Sequence, residues 1–127
     1  MTMANTKKRI MIVDDEPTWI KVLSHLLRGK GYVVHEAGSA KEALKTLVGF
    51  KPDLIVSDVR MPDMNGFDFL NEIRKTSKNF GTPVVFLTAI DDYDARRVAK
   101  ELGATDYLIK PFDEQEVLTI LSKHLNP

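Results

Sequence analysis

Five short runs of β-branched and apolar residues alternate along this chain with five longer stretches of helical period, and the alternation leaves few folds open. The runs are 9–13, 32–36, 53–57, 84–87 and 106–109, and the helical stretches are 16–30, 39–50, 66–76, 91–102 and 112–125. A helix after every strand carries the chain back across the sheet, so successive strands run parallel and helices cover the faces. Ala40, Ala43, Leu44, Leu47 and Val48 fall at i, i+3, i+4, i+7 and i+8, which is one apolar stripe for packing on a sheet. Val117, Ile120, Leu121 and Leu125 repeat that spacing. The first, third and fourth runs are almost wholly apolar, as strands covered on both faces require, whereas YVVHE suits an edge. The reading is an α/β chain with a doubly wound five-stranded parallel sheet.

At 127 residues there is room for one full core and not for two, so 1–127 is read as a single domain with residues 1–7 as a flexible lead-in. No apolar stretch exceeds strand length and MTMANTKKR lacks the apolar stretch of a signal peptide, which points to a cytoplasmic protein with no membrane partner. Cysteine is absent, so metal chemistry must use oxygen. Eighteen basic residues balance eighteen acidic ones, and no broad positive surface is expected for direct nucleic-acid binding. Lys7, Lys8 and Arg9 are read as a solvated lead-in to the first strand. The breakers Gly29, Gly31, Gly38, Pro52, Pro62, Gly66, Gly81, Pro83, Gly103 and Pro111 fall between the elements, and the connections are short except for 59–65. A long connection in a tight fold is a usual place for function, and this one follows Asp58.

Loops leave an open parallel sheet at the carboxyl ends of its strands and converge in one crevice. Asp14 and Asp15 follow RIMIV, Asp58 follows PDLIVS, Thr88 follows PVVFL and Lys110 follows DYLI. In the flavodoxin-like order 2-1-3-4-5 the switch point lies between strands one and three, where Asp14, Asp15 and Asp58 meet. Carboxylates so close repel one another unless protonated or bridged, and with no Cys or His nearby the bridging ion is Mg²⁺, with Mn²⁺ second. Such an ion keeps waters and takes phosphate oxygens. Asp58 can serve as a carboxylate nucleophile that forms an aspartyl phosphate, while Lys110 supplies charge and Thr88 a donor for the transferred oxygens.

The runs IMIVDDEP, PDLIVSDVRMPDMNG, VVFLTA and GATDYLIKPF, in that order, closely resemble the receiver domain of two-component response regulators, over about Lys8 to Leu125. The resemblance carries the same strand order. It implies that Asp58 takes a phosphoryl group from the phosphohistidine of a sensor histidine kinase or phosphotransfer protein, in a chain that is no conventional enzyme but catalyses its own Mg²⁺-dependent phosphorylation and dephosphorylation. Asp15, Asp58 and the backbone carbonyl of Arg60 would hold the metal, with Asp14 acting largely through water. Thr88 and Lys110 would contact the phosphoryl oxygens, the Lys110–Pro111 bond would be cis, and Tyr107 would be the switching aromatic that turns inward with Thr88. Arg60 and Ile90 flank the phosphoryl position, Arg60 as a cover and Ile90 as an apolar side chain unable to orient water, which predicts slow self-dephosphorylation. The signal would leave through the 91–102, strand-five and 112–125 face to a downstream effector protein or domain, or to a second copy in a phosphorylation-dependent homodimer.

Plainer roles stand beside these. Asp14 and Asp15 suit the N-cap of a helix opening at Pro17. Asp63 suits a turn, Tyr107 a half-buried strand aromatic, and Trp19 the core edge beside Val22, Leu23 and Leu26. His25, His35 and His124 are scattered and carry no chemistry. A haloacid-dehalogenase-type phosphatase would need D-x-D-x-T after the first strand, and an FMN carrier would need hydroxyl and amide donors where this chain has acids. The strongest alternative is a receiver-fold module that docks without phosphorylation.

Overall fold

The computed structural model describes residues 7–76, 79, 81–89 and 92–125, and Ile90 and residues 1–6 lie outside the described residues. Ten elements alternate strictly: β1 (Arg9–Val13), α1 (Pro17–Gly29), β2 (Val33–Ala37), α2 (Ala40–Leu47), β3 (Leu54–Asp58), α3 (Gly66–Arg74), β4 (Val84–Ala89), α4 (Tyr93–Glu101), β5 (Asp106–Lys110) and α5 (Glu114–Leu125). The strands form one parallel sheet in the order β2-β1-β3-β4-β5. The expected architecture and strand order are both present.

Side chains alternate across the sheet and both faces are filled. Met11, Val13, Ile55, Val84 and Phe86 pack with Ala40, Ala43, Leu47, Phe69, Leu70, Ile73, Ala95 and Ala99 beneath α2, α3 and α4. Ile10, Ile12, Leu54, Val56, Val85, Leu87 and Leu108 pack with Leu23, Leu27, Val117, Leu121 and Leu125 beneath α1 and α5. β3 is buried along its whole length at the centre, while the β2 edge is only partly covered.

Helix starts follow local chemistry. Ser39, Asn65 and Asp92 accept side-chain hydrogen bonds from Glu42, Asp68 and Ala95 backbone N–H groups, closing α2, α3 and α4. At α1 the N-cap is Glu16, without a side-chain cap bond, so the capping role suggested for Asp14 and Asp15 does not hold. Asp14 instead accepts the Glu16 N–H at 2.9 Å, a turn that holds the acid just outside the helix.

Two connections are longer than expected, because α2 ends at Leu47 rather than at 50 and α3 at Arg74 rather than at 76. α3 ends at Arg74, so the segment to β4 runs over 75–83 and is longer than the loop after Asp58. Arg74 ties it down through bonds to the Thr82 carbonyl at 2.7 Å and the Asn79 carbonyl at 3.2 Å. A single arginine thus anchors the start of the connection to its end.

Candidate functional site

The switch point between β1 and β3 sets the location of the site. Val13 lies opposite Ser57 in the β1–β3 ladder, and Asp58 lies opposite Leu87 in the β3–β4 ladder, so Asp14, Asp58 and Thr88 leave the sheet at one level. Lys110 pairs in register with Ala89 on the next strand and reaches back across the crevice. One carboxylate oxygen from each of Asp14, Asp15, Glu16 and Asp58 lies within 4.8 Å of the others. Asp14 and Asp58 are buried and Asp15 and Glu16 exposed, so the cluster has a floor and an open rim.

Lys110 Nζ lies 3.1 Å from Asp14 Oδ2, 3.5 Å from Asp58 Oδ1 and 3.5 Å from Glu16 Oε1. Asp58 Oδ1 also accepts the Val59 N–H at 3.0 Å. Burial and the neighbouring Asp14 carboxylate outweigh Lys110 and push the Asp58 carboxyl up to about 7. Burial alone would lower Lys110, but Asp58, Asp14 and Glu16 together raise it and keep the ammonium charged. The pocket therefore holds more negative charge than one lysine balances. An all-oxygen donor set with surplus charge fits a hard divalent cation such as Mg²⁺ or Mn²⁺.

The Thr88 hydroxyl is buried and its Oγ1 has no hydrogen-bond partner among the described residues. A buried hydroxyl without a partner carries a desolvation cost, and an oxygen arriving in the crevice would relieve it. Behind Asp58, Gly66 packs so closely that a β-carbon there would collide with the Asp58 carbonyl. The Gly66 N–H also bonds the Val59 carbonyl at 2.9 Å, closing the loop that carries Arg60.

The structure brings Asp14, Asp15, Asp58, Thr88 and Lys110 to one crevice. Arg60 turns its guanidinium away from them, to a two-bond pair with Asp92 at 2.8 and 3.0 Å. Asp63 is a turn residue, as expected, and adopts the left-handed conformation at φ 66°. The Lys110–Pro111 bond is cis. Tyr107 points outward with 40% of its surface exposed, and Arg96 lies over its ring at 6.0 Å and over that of Tyr93 at 4.5 Å.

Two neighbours escaped the sequence reading. Glu16 joins the acid cluster; the unbroken Asp14-Asp15-Glu16 triplet was the available signal. Trp19 is half-buried, as a place at the core edge requires, but it also leans on Phe112, with ring centroids 5.0 Å apart, and sits 5.0 Å from Lys110 Nζ. Nothing in local spacing announces a contact between α1 and the end of β5.

This fold, with acids at the β1/β3 switch and a lysine at the end of β5, is that of a receiver-type signalling domain. The profile of the response regulator receiver domain matches residues 10–122, and the chain belongs to that family. It is 40% identical to the alkaline phosphatase synthesis transcriptional regulatory protein PhoP of Bacillus subtilis over 110 residues, covering 87% of this chain and 45% of that protein. The chain spans about half the length, or less, of several curated relatives it matches. Its structure resembles the chemotaxis response regulator CheY4 of Vibrio cholerae, with TM-score 0.87, 35% identity and coverage of 93% and 98% of the two chains. It also resembles the receiver domain of the sensor histidine kinase PA1611 from Pseudomonas aeruginosa, with TM-score 0.88, 29% identity and coverage of 96% and 100%. That structure holds a magnesium ion in its active-site cleft.

Proposed function

We propose that Asp58 is the phosphoryl acceptor of this receiver domain. A carboxylate oxygen of Asp58 attacks the phosphorus of a phosphohistidine on a sensor histidine kinase or phosphotransfer protein. The O–P bond forms as the P–N bond breaks, and the electron pair returns to the imidazole. Asp15, Asp58 and the main-chain carbonyl of Arg60 would hold Mg²⁺, with Asp14 acting largely through water and Glu16 at the rim of the same cluster. The ion, when bound, offsets carboxylate repulsion and neutralises phosphoryl oxygen charge.

The protein's own groups supply the rest. The Lys110 ammonium, already charged, exchanges a carboxylate for a phosphoryl oxygen, and the Thr88 hydroxyl donates to another. The observation that carries this reading is the Asp58 carboxylate, buried at 6% exposure and 3.5 Å from Lys110 within a four-carboxylate cluster. Movement of Thr88 towards the new anion would open space for Tyr107, altering the α4–β5–α5 face for an effector protein or domain, or for a second copy of this chain. A groove of about 380 Å³ between β5 and α5, lined by Tyr107, Ile109, Glu116 and Ile120, lies on that face. Direct contact with nucleic acid is not part of this domain's role. None of its helices among the described residues is long and apolar enough to cross a membrane; work in the cytoplasm is part of the same proposal.

Incubation with acetyl phosphate and Mg²⁺, followed by intact-mass measurement, tests the reading. One acid-stable, base-labile phosphoryl adduct is expected, and Asp58→Asn should abolish it. A wild-type chain that forms no adduct yet still binds its effector would establish docking without phosphorylation instead.

A further inference from the structure

Lys110 is enclosed on two sides of different chemistry. The carboxylates of Asp14, Glu16 and Asp58 lie on one, and the Trp19 ring lies on the other, 5.0 Å from Nζ. Together they leave the lysine side chain only 12% exposed. The Trp19 ring is braced in turn by Phe112, whose ring is 5.0 Å away and tilted by 45°. The ring therefore has a fixed position relative to both the acid cluster and the end of β5.

A carboxylate that holds an ammonium uses up its hydrogen-bond donors and competes with an incoming phosphoryl oxygen. An aromatic face attracts the same charge through its quadrupole and accepts none of the three N–H donors in full. It thus holds the amine over the crevice while leaving its donors for the transferred group. Glu16 pulls the other way, since its side chain is 59% exposed and draws the amine towards solvent. Ordinary packing between α1 and the segment after β5 would account for an apolar residue at position 19, but not for a ring stationed over the ammonium.

Resting on the reading of Asp58 as acceptor, we infer that Trp19 is a positioning residue for phosphoryl transfer: its ring holds the Lys110 ammonium over the acceptor and changes environment when a phosphoryl group arrives. Trp19 is the chain's only tryptophan, so its emission reports on this site alone.

The experiment follows phosphorylation of the 127-residue chain by acetyl phosphate with Mg²⁺, by intact mass and by tryptophan emission. Trp19→Leu keeps an apolar side chain and removes the π face. It should lower the rate constant at saturating acetyl phosphate about 5- to 20-fold, with little change in the half-saturating concentration. Trp19→Phe should recover most of that loss. Wild-type emission should change at the rate of adduct formation, and Asp58→Asn should abolish that change. Adduct formation in Trp19→Leu at the wild-type rate, or emission indifferent to phosphorylation, would overturn the role of Trp19 and leave Asp58 as acceptor. No adduct in the wild-type chain would overturn both.

Discussion

Asp58 and Gly66 show how tightly single residues define this site. The Asp58 carboxyl is pushed up to about 7 by burial and Asp14, against an ordinary value of 3.8, so the metal-free folded chain binds a proton there that the unfolded chain has released. That proton's contribution to stability is complete below about pH 4 and is lost as the pH rises through about 7. Asp58→Asn removes the ionised form. In chelator it should therefore stabilise the fold at pH 8, by on the order of 2 kcal/mol, and much less at pH 5. Thermal unfolding at the two pH values measures this, and an equal gain at both would mean that ionised Asp58 is not the source of strain. Gly66 acts by size alone: a β-carbon there meets the Asp58 carbonyl, Val59 Cα at 3.0 Å and the Phe86 ring at 3.1 Å. Gly66→Ala should cost about 1–3 kcal/mol in urea unfolding, because backbone on one side and a packed ring on the other leave little to give way. An unchanged midpoint would show that the loop after β3 absorbs the methyl.

At the scale of elements, α4 is the helix held most lightly. It has nine residues, and only Ala95 and Ala99 are buried. Asp92 compensates twice over, capping the Ala95 N–H at 3.1 Å and pairing with Arg60 from the loop after the acceptor. The hydrogen bond from Arg60 lowers the Asp92 carboxyl from its ordinary value. Asp92→Ala should cost about 1 kcal/mol, largely through the lost cap, and should speed amide exchange selectively in α4. Arg60→Ala should cost less, since its side chain is 66% exposed and water screens the pair. Equal costs would assign the effect to the ion pair rather than the cap. These contacts also mark what the sequence could not disclose. Strand and helix periods placed all ten elements, and the strand ends placed Asp14, Asp15, Asp58, Thr88 and Lys110 together. Arg60 with Asp92 and Trp19 with Lys110 join side chains from different βα units, and such pairs depend on helix rotation and rotamers that no local period encodes. The early end of α3 escaped for a related reason: Arg74 bonds carbonyls of the following segment, a tertiary gain that overrides helical continuation.

Over the whole molecule, the site sits where the two halves of the sheet diverge and the two apolar layers are both anchored on β1, β3 and β4. The central place of these strands was legible because they are apolar on both faces, whereas the order that brings the acids at their ends to one switch point came partly with the resemblance to receiver domains. The same placement couples the crevice to global stability, since unfolding must separate β1 from β3 and so dismantle the acid cluster. A ligand that binds only the folded chain stabilises it in proportion to the logarithm of one plus the ratio of its concentration to its dissociation constant. Mg²⁺ at about a hundred times its dissociation constant should therefore raise the unfolding free energy by about 2.7 kcal/mol. Its effect should fall between pH 8 and pH 5, because a proton on Asp58 competes with the ion for the same oxygens. Asp15→Asn should weaken the stabilisation without disturbing the buried floor of the site, as Asp15 is exposed at its rim. Thermal unfolding over an Mg²⁺ titration in the wild-type chain, Asp15→Asn and Asp58→Asn reads all three effects. Stabilisation of equal size in every variant and at both pH values would place the ion away from this crevice, and the surplus of carboxylates around Lys110 would then need another explanation.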